Sequence, residues 1–368
     1  MSRNIMDTME LIINVLKKHI CDDDTGRIAD VRRHIQPLGD AKLVCNFVKM
    51  AKIKHIKCNS EDLCLFEFNN EIYLLLSERH RNTLNKIGFE LETDLAVIQG
   101  AGMLAIAYEY ISLKENIDSL WIIEHCLGIE PETGSCGDIT IDFSTILDFF
   151  EKYCVIKRDD SRFELFYKED YNRLIGYLLV EETTTIPVES KSRVQELLLL
   201  HSSRSIAGSI LNGIQSSLME YSFLQFYQCL EYLFRLNNCF AISEKYDVDL
   251  EKSIDIVLEH EFKMSESENL YQVLKTNIEE TGLKPFNDFF YENSFEKGDA
   301  FKMIMNYIYK LRCNVAHLRY IQDDISDVNW SKCIAALIEI IFSIYQKRDS
   351  DIIQVCNSKN TWSVMEIS

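Results

Sequence analysis

Residues 309–319 read YKLRCNVAHLR, so that an arginine, Arg312, is followed five residues later by a histidine, His317. With about 100° of rotation per residue in a helix, the apolar side chains of this stretch and of the residues before it fall on one face. These side chains are Ile304, Tyr307, Ile308, Leu311, Val315 and Leu318. The pattern predicts an amphipathic helix over residues 300–318.

The polar residues of this helix define a second face. They are Asn306, Lys310, Cys313, Asn314 and His317. A single histidine in a helix is more often buried in the core. Here the angular position of His317 places it on the polar face, away from the core. Arg312 is about 140° away from His317 on an ideal helix and borders the apolar face. The two side chains can therefore meet at one phosphate only if the helix is distorted or if two copies of the chain come together.

The distribution of charge singles out the same segment. The chain of 368 residues has a formal charge of −19, which argues against a protein that coats nucleic acid with its whole surface. Residues 300–322 nevertheless contain no Asp or Glu. They carry the basic residues Lys302, Lys310, Arg312 and Arg319. Such a local basic segment is what binding to a phosphate backbone needs.

Further helices are predicted on both sides of the segment, over residues 193–200, 206–236, 250–262, 268–279 and 328–346. Residues 226–234 read FYQCLEYLF, and residues 328–346 are apolar along most of their length. This order of a long helix, intervening helices, an R-x4-H helix and a final apolar helix resembles the HEPN superfamily of prokaryotic ribonucleases and defence proteins. The resemblance covers about residues 203–346 and implies an all-α helical bundle.

The resemblance also implies an activity and a set of site residues. HEPN enzymes cut RNA without a metal, usually as dimers whose two motifs face one cleft, and their Arg and His correspond to Arg312 and His317. The position after the Arg is often Asn in the family; here it is Cys313, with Asn314 next. Glu231 matches an acidic residue on the first long helix that orients the motif. The expected RNA-binding residues are Lys302, Asn306, Lys310 and Arg319. The expected function is that of a metal-independent endoribonuclease acting as a toxin or antiphage effector.

The residue types suit cleavage of RNA by its own 2′-hydroxyl. A histidine can act as base or acid near neutral pH, and an arginine can hold two phosphate oxygens. The alternative is a HEPN-type interaction module without turnover, which the departure at Cys313 favours. In either case the apolar helix over residues 328–346, together with Phe223, Phe226, Tyr227 and Leu230, predicts a homodimer through the C-terminal domain.

The first 192 residues predict a mixed α+β half made of two segments, residues 1–86 and 87–192, ahead of the helical domain at residues 193–368. Helices are expected over residues 6–20, 27–34, 40–52, 94–113, 117–126 and 143–153. Hairpins are expected over residues 63–76, with Asn69-Asn70 as the turn, and over residues 155–167. Helices followed by a hairpin are the outline of a winged helix, so tandem winged-helix-like units are one interpretation.

The charge of the second segment opposes a DNA-binding role. Between residues 87 and 150 the only basic residue is Lys114, against a dozen acids. A regulatory or protein-contacting surface that holds a partner or senses a trigger fits better, and a merely solvated acidic surface fits equally well.

Cysteine spacing and hydropathy argue against a disulfide-rich, metal-binding, secreted or membrane-spanning protein. The twelve cysteines include no C-x-x-C pair, which favours buried thiols over disulfides or a metal site. We expect no cofactor. The acidic residues near the start do not fit a signal peptide, and no apolar run is long enough to span a membrane. We therefore expect a cytoplasmic protein that does not associate with membranes.

Overall fold

The computed structural model describes residues 5–20, 33–38, 40–58, 61–115, 117–124, 139–158, 163, 168–259, 265–278, 300–317 and 328–358. The chain folds as two compact units. The first unit is Met1–Glu164 and the second unit is Leu165–Ser368. The first combines helices with two small sheets, and the described part of the second is helical. The coarse layout, α+β followed by all-α, is as predicted.

The described part of the first unit contains several short helices. They are α1 (Ile5–Lys17), α2 (Ala41–Met50), α3 (Arg81–Lys86), α4 (Leu95–Ala107), α5 (Ser119–Ile122) and α6 (Phe143–Leu147). Aspartate caps begin several of them: the Asp40 carboxylate accepts hydrogen bonds from the backbone N–H groups of Lys42 and Leu43 at 2.9 and 3.1 Å. Asp94 accepts one from Ala96 at 2.9 Å. These side chains satisfy N–H groups that have no partner within the helix.

The larger sheet is antiparallel and has the strand order β2-β3-β4-β6. Its strands are β2 (Lys52–Cys58), β3 (Glu61–Phe68), β4 (Glu71–Ser77) and β6 (Tyr153–Lys157). The predicted hairpin is confirmed: Asn69 and Asn70 join β3 to β4 with φ of 53° and 65°, the left-handed conformation that asparagine tolerates in such turns.

The second predicted hairpin is different in the structure. β6 lies where its first strand was expected, but it pairs with β4 and so joins the sheet of the earlier segment. Phe163 lies in a turn, and residues 164–167 are outside the described residues. β4 thus has β3 on one side and β6 on the other, so the segments predicted as separate at residue 86 share one sheet.

The smaller sheet pairs β1 (Arg33–Gln36) in parallel with β5 (Ile139–Asp142). The sequence predicted a helix over residues 27–34, and for Arg33 and His34 that prediction is wrong; residues 27–32 lie outside the described part. The strand partner of Arg33 is Ile139, more than a hundred residues away, so no local pattern could indicate this pairing. Ile35 and Ile141, both buried, hold the pair to the core of the first unit.

Two glycines of α4 have a packing reason. A Cβ added at Gly100 would lie 2.7 Å from Cδ1 of Phe47, which is fully buried between α4 and the larger sheet. One added at Gly102 would lie 1.9 Å from the Tyr153 hydroxyl. Gly100 and Gly102 are therefore the positions where neighbouring aromatic rings approach the helix backbone.

This packing gives a stability prediction with a matched control. We expect Gly100→Ala to destabilise the protein by about 1–3 kcal/mol, because the new methyl group displaces a buried ring. At Gly208, in a helix of the second unit, the nearest atom to a new Cβ is 3.9 Å away. Gly208→Ala should be neutral or stabilise by up to about 1 kcal/mol. Urea unfolding of both variants measures the difference, and equal effects would contradict the packing explanation.

The second unit is built from α7 (Lys168–Leu179), α8 (Lys191–Leu199), α9 (Ala207–Gln215), α10 (Met219–Tyr246), α11 (Leu250–Glu259), α12 (Glu266–Asn277), α13 (Ala300–Ala316) and α14 (Trp330–Ser358). Short 3-10 helices occupy Val188–Ser190 and His201–Ile206. The predicted helix over residues 206–236 is two helices, since the chain turns at Ser216, whose hydroxyl donates to the Leu218 carbonyl at 2.9 Å.

α7 belongs to the second unit, although the sequence had assigned it to the acidic segment before residue 193. Arg173 on α7 is fully buried, and its Nε donates to the Leu198 carbonyl at the end of α8 at 2.9 Å. The Asp170 carboxylate, also fully buried, accepts from Arg204 at 2.7 Å. These bonds attach α7 to the helices that follow it, which sets the unit boundary near residue 164.

The apolar surface of α14 is covered within the second unit. Its large apolar side chains from Ile334 to Tyr345 are less than 9% exposed, and so are Phe223, Phe226, Tyr227 and Leu230. α8 and α10 pack against α14, and the Arg193 guanidinium lies 4.7 Å from the Phe342 ring centre. The expectation that this surface needs a second chain to cover it is therefore wrong. Among the described helices, none is both long and apolar enough to cross a membrane.

Candidate functional site

The motif helix α13 has the amphipathic character that the sequence predicted. Ile304, Ile308, Leu311 and Val315 are 4% exposed or less. The outward positions Lys302, Asn306 and Lys310 are exposed. α13 packs on α10 and α12 through its apolar face. The predicted RNA-binding residues other than Arg319, which lies outside the described residues, thus form one exposed stripe along α13.

Arg312 does not point into solvent with that stripe. Its side chain is 24% exposed and lies between α10 and α12. Nη2 donates a hydrogen bond to Oε1 of Glu231 on α10 at 3.1 Å, and Nε lies 3.0 Å from Oε1 of Glu266 on α12. The guanidinium carbon is 5.9 Å from the ring centre of Tyr227. Arg312 is therefore held by two carboxylates and an aromatic ring from two other helices.

Glu231 was predicted as a supporting residue, and the structure places it against Arg312. Burial raises the pKa of Glu231; the charge of Arg312 opposes this shift, and the neighbouring Glu266 adds to it. For Arg312, burial alone would lower the pKa, but Glu266 and Glu231 outweigh it and the pKa is raised. The two carboxylates thus stabilise the charged form of Arg312 although its side chain is partly buried.

Sequence analysis missed Glu266 and Tyr227 as members of this site. The Tyr227 hydroxyl donates to Oε1 of Glu266 at 3.0 Å. Burial raises the pKa of Tyr227, with Glu266 adding to the shift, so this hydroxyl stays a donor. Ser265 caps α12 by accepting from the Glu268 N–H at 3.2 Å, which puts Glu266 in the first helical turn. The Ser265 cap could have been recognised in the sequence. A carboxylate in the first turn of a helix is common, however, and the sequence does not show that Glu266 pairs with Arg312.

Cys313 and Asn314 are half-buried beside Arg312. The Cys313 side chain forms a hydrogen bond with Tyr309, one turn earlier, and this contact raises the pKa of the tyrosine. Cys313 is thus engaged along its own helix. Asn314 follows Cys313 on α13 and is likewise half-buried.

His317 is the first residue after α13 and is exposed. Its backbone N–H donates to the Cys313 carbonyl at 3.1 Å, so the helical bonding continues to the histidine. α13 is one continuous helix through Ala316. Within one chain Arg312 and His317 therefore lie on different sides of the helix, as the angular argument predicted.

The charge around Arg312 differs from what the sequence predicts. The run from residue 300 to 322 lacks acids, yet tertiary packing brings the Glu231 and Glu266 carboxylates within about 3 Å of Arg312. With both carboxylates ionised, the formal charges of these three side chains sum to −1. Lys302, Lys310 and His317 remain on the exposed stripe, so the basic character belongs to the outside of α13 and not to Arg312.

Among the described residues, no group of three or more His, Cys, Asp or Glu side chains is arranged to hold a metal ion. No family model, no curated protein and no solved structure matches the chain.

Proposed function

We propose that the second unit is a HEPN-type, metal-independent endoribonuclease domain of a cytoplasmic toxin or antiphage effector. The observation that carries the proposal is the bond between Arg312 and Glu231. It links the motif helix to the long helix through the two residues that the resemblance pairs. In support, His317 is exposed at the end of a polar, partly basic helix face.

The proposed reaction uses His317 for proton transfer. The 2′-oxygen of the RNA attacks the adjacent phosphorus as a base removes its proton, and the bond from phosphorus to the 5′-oxygen breaks as an acid protonates that oxygen. The products are a 2′,3′-cyclic phosphate and a 5′-hydroxyl. A neutral imidazole suits the first transfer and an imidazolium the second. An arginine close to the phosphate would offset the charge that develops on its oxygens.

The geometry of one chain favours a site composed of two. Arg312 and His317 lie on different sides of an unbroken α13, so one helix does not direct both at one phosphate. We propose a homodimer in which the His317 end of each α13 faces the partly exposed side of the partner copy's Arg312 across the RNA. Since α14 is already covered, this interface would be polar and would bring together Lys302, Asn306, Lys310 and His317 from both copies.

A second candidate is an interaction module of HEPN type without turnover. The specific observation in its favour is that Arg312 already has two carboxylate partners and that Cys313 is hydrogen-bonded to Tyr309. An arginine neutralised in this way can serve to fix α10, α12 and α13 together. The two functions differ in one measurable respect, which is cleavage of RNA that depends on His317.

For the first unit we propose a regulatory or partner-binding role. The side chain of Trp121 on α5 is 42% exposed and packs edge-on against Phe149. It lines a groove together with Lys114, Glu115, Ile117, Asp118, Leu120, Glu124 and Asp148. Four of these are acids, so a basic segment of a partner protein is a chemically matched occupant.

The metal-independent mechanism predicts unchanged RNA cleavage in excess EDTA, with fragments that end in a 2′,3′-cyclic phosphate and a 5′-hydroxyl. A 5′-labelled oligoribonucleotide and mass spectrometry of the fragments measure both. The same oligonucleotide with 2′-O-methyl groups should stay intact, since it lacks the attacking hydroxyl. Loss of activity in EDTA that a divalent ion restores, or fragments ending in a 5′-phosphate, would contradict the proposed chemistry.

A further inference from the structure

The two carboxylates around Arg312 are not equivalent. The Arg312 Nη2–H donates to Glu231 at 3.1 Å in hydrogen-bonding geometry. The contact with Glu266 is an ion pair at 3.0 Å, but Nε is buried and makes no aligned hydrogen bond to it. A charge-assisted hydrogen bond is stronger than a misaligned contact at the same distance. Glu231 therefore anchors the guanidinium, whereas Glu266 holds it through charge alone.

Glu266 has other partners that would keep it in place without Arg312. The Tyr227 hydroxyl donates to its Oε1 at 3.0 Å, and its position in the first turn of α12 favours a negative charge. Its side chain is 27% exposed, so water also reaches it. Glu231 is the more buried of the two, at 16% exposure. Of the two carboxylates, Glu266 is the one that can release Arg312 at lower cost.

A phosphate that approaches Arg312 meets this second carboxylate. With Glu231 and Glu266 both ionised, the three groups carry a net negative charge, which repels a phosphodiester. Replacing the contact with Glu266 by a contact with a phosphate oxygen would keep the guanidinium paired with two anions. Its planar set of donors can hold Glu231 through one edge and a phosphate through another.

We propose that Glu266 competes with an RNA phosphate for Arg312 and is a positioning residue that limits how tightly the second unit binds RNA. The proposal rests on the phosphate-binding part of the proposed function and does not require cleavage. It assigns the two carboxylates opposite effects: Glu231 orients the arginine for RNA, and Glu266 withholds it.

The test measures binding of a single-stranded 2′-O-methyl oligoribonucleotide of twelve nucleotides, which the proposed chemistry cannot cleave, to the full chain. Glu266→Gln keeps the size of the side chain and removes its charge. We expect about two- to fivefold tighter binding than in the parent. One additional phosphate contact should also steepen the dependence of log Kd on log salt by about 0.7. If the chain cleaves RNA, the gain should appear as a lower KM.

Glu268→Gln is the matched control. Glu268 lies in the same turn of α12 and its carboxylate accepts from Gln272 at 3.1 Å. This variant removes the same charge two residues away, and we expect less than a twofold change in Kd. The double variant Arg312→Gln with Glu266→Gln should show no gain over Arg312→Gln alone, because the gain requires the arginine.

The outcomes decide the proposal whether or not the chain is a nuclease. Tighter binding by Glu266→Gln alone supports it, even if no RNA is ever cleaved; in that case only the proposed function fails. Equal binding by Glu266→Gln and Glu268→Gln, a gain that persists without Arg312, or no binding by any variant overturns it. Should circular dichroism show that Glu266→Gln unfolds, Glu266→Asp decides: the shorter carboxylate withdraws from Nε, and binding no tighter than in the parent then overturns the proposal.

Discussion

Replacing His317 with alanine is expected to lower the rate of RNA cleavage by about 10²- to 10⁴-fold, the usual contribution of a general acid or base. Folding should be unaffected, because His317 is exposed after the end of α13 and contributes a backbone N–H bond that alanine retains. Fluorogenic RNA measures the rate, and circular dichroism and the unfolding midpoint measure the fold.

The control for this variant is His201→Ala. His201 is also an exposed histidine of the second unit, in the 3-10 turn before α9 and outside the motif. It should leave cleavage unchanged. Parent-like cleavage by His317→Ala would remove His317 from the mechanism and leave the interaction module as the better function. Mixing inactive His317→Ala chains with parent chains tests the composite site: activity simply proportional to the parent chains would argue against sharing between copies.

The second large effect is expected for Arg312→Lys, which should lower cleavage by about 10²-fold. Lysine keeps the charge but has no planar fork, so it cannot hold Glu231 through one nitrogen while another contacts a phosphate. The structure adds a stability effect: loss of the aligned bond to Glu231, a partly buried carboxylate, should cost about 1 kcal/mol. Cleavage kinetics and urea unfolding separate the two effects.

Arg193→Lys is the matched control for replacing a paired guanidinium with an ammonium group. Arg193 pairs with Glu196 and Glu339 at 2.7 and 3.2 Å on α8 and α14, away from the motif. It should show a comparable or smaller stability change and full cleavage activity. Near-normal cleavage by Arg312→Lys would mean that positive charge alone is needed. Complete unfolding would make Arg312 a structural residue, as its pairing with two carboxylates allows.

The parts of the site that could be predicted from the sequence are those set by local periodicity and by the resemblance. The apolar spacing of α13 gives the buried face, and the count of residues between Arg312 and His317 gives their divergence. The resemblance points to Glu231. Glu266 could not be predicted, because its sequence context is that of an ordinary solvated first turn. Only tertiary packing shows that α12 brings this carboxylate to Arg312.

The same limit applies to the fold. The hairpin at Asn69-Asn70 and the aspartate caps follow from a few adjacent residues. The parallel pairing of β1 with β5 and the addition of β6 to β4 depend on residues far apart in the chain. The local pattern therefore predicts a helix at Arg33 and His34 and a local hairpin over residues 155–167. The break at Ser216 was hidden because apolar spacing continues on both sides of it.

The packing of α14 on α8 has a consequence for how the protein is made. Arg193 bonds to a residue that is synthesised 146 positions later. At a translation rate of about 5–20 residues per second, α8 waits about 7 to 30 seconds for its partner. Throughout this time the nascent chain exposes apolar surface and lacks the helix that supports α10, and with it the anchor of Arg312. In the proposed nuclease, the Arg312 site would therefore form only after α14 has been synthesised, and the domain would stay inactive beside the ribosomal RNA while its earlier helices are made.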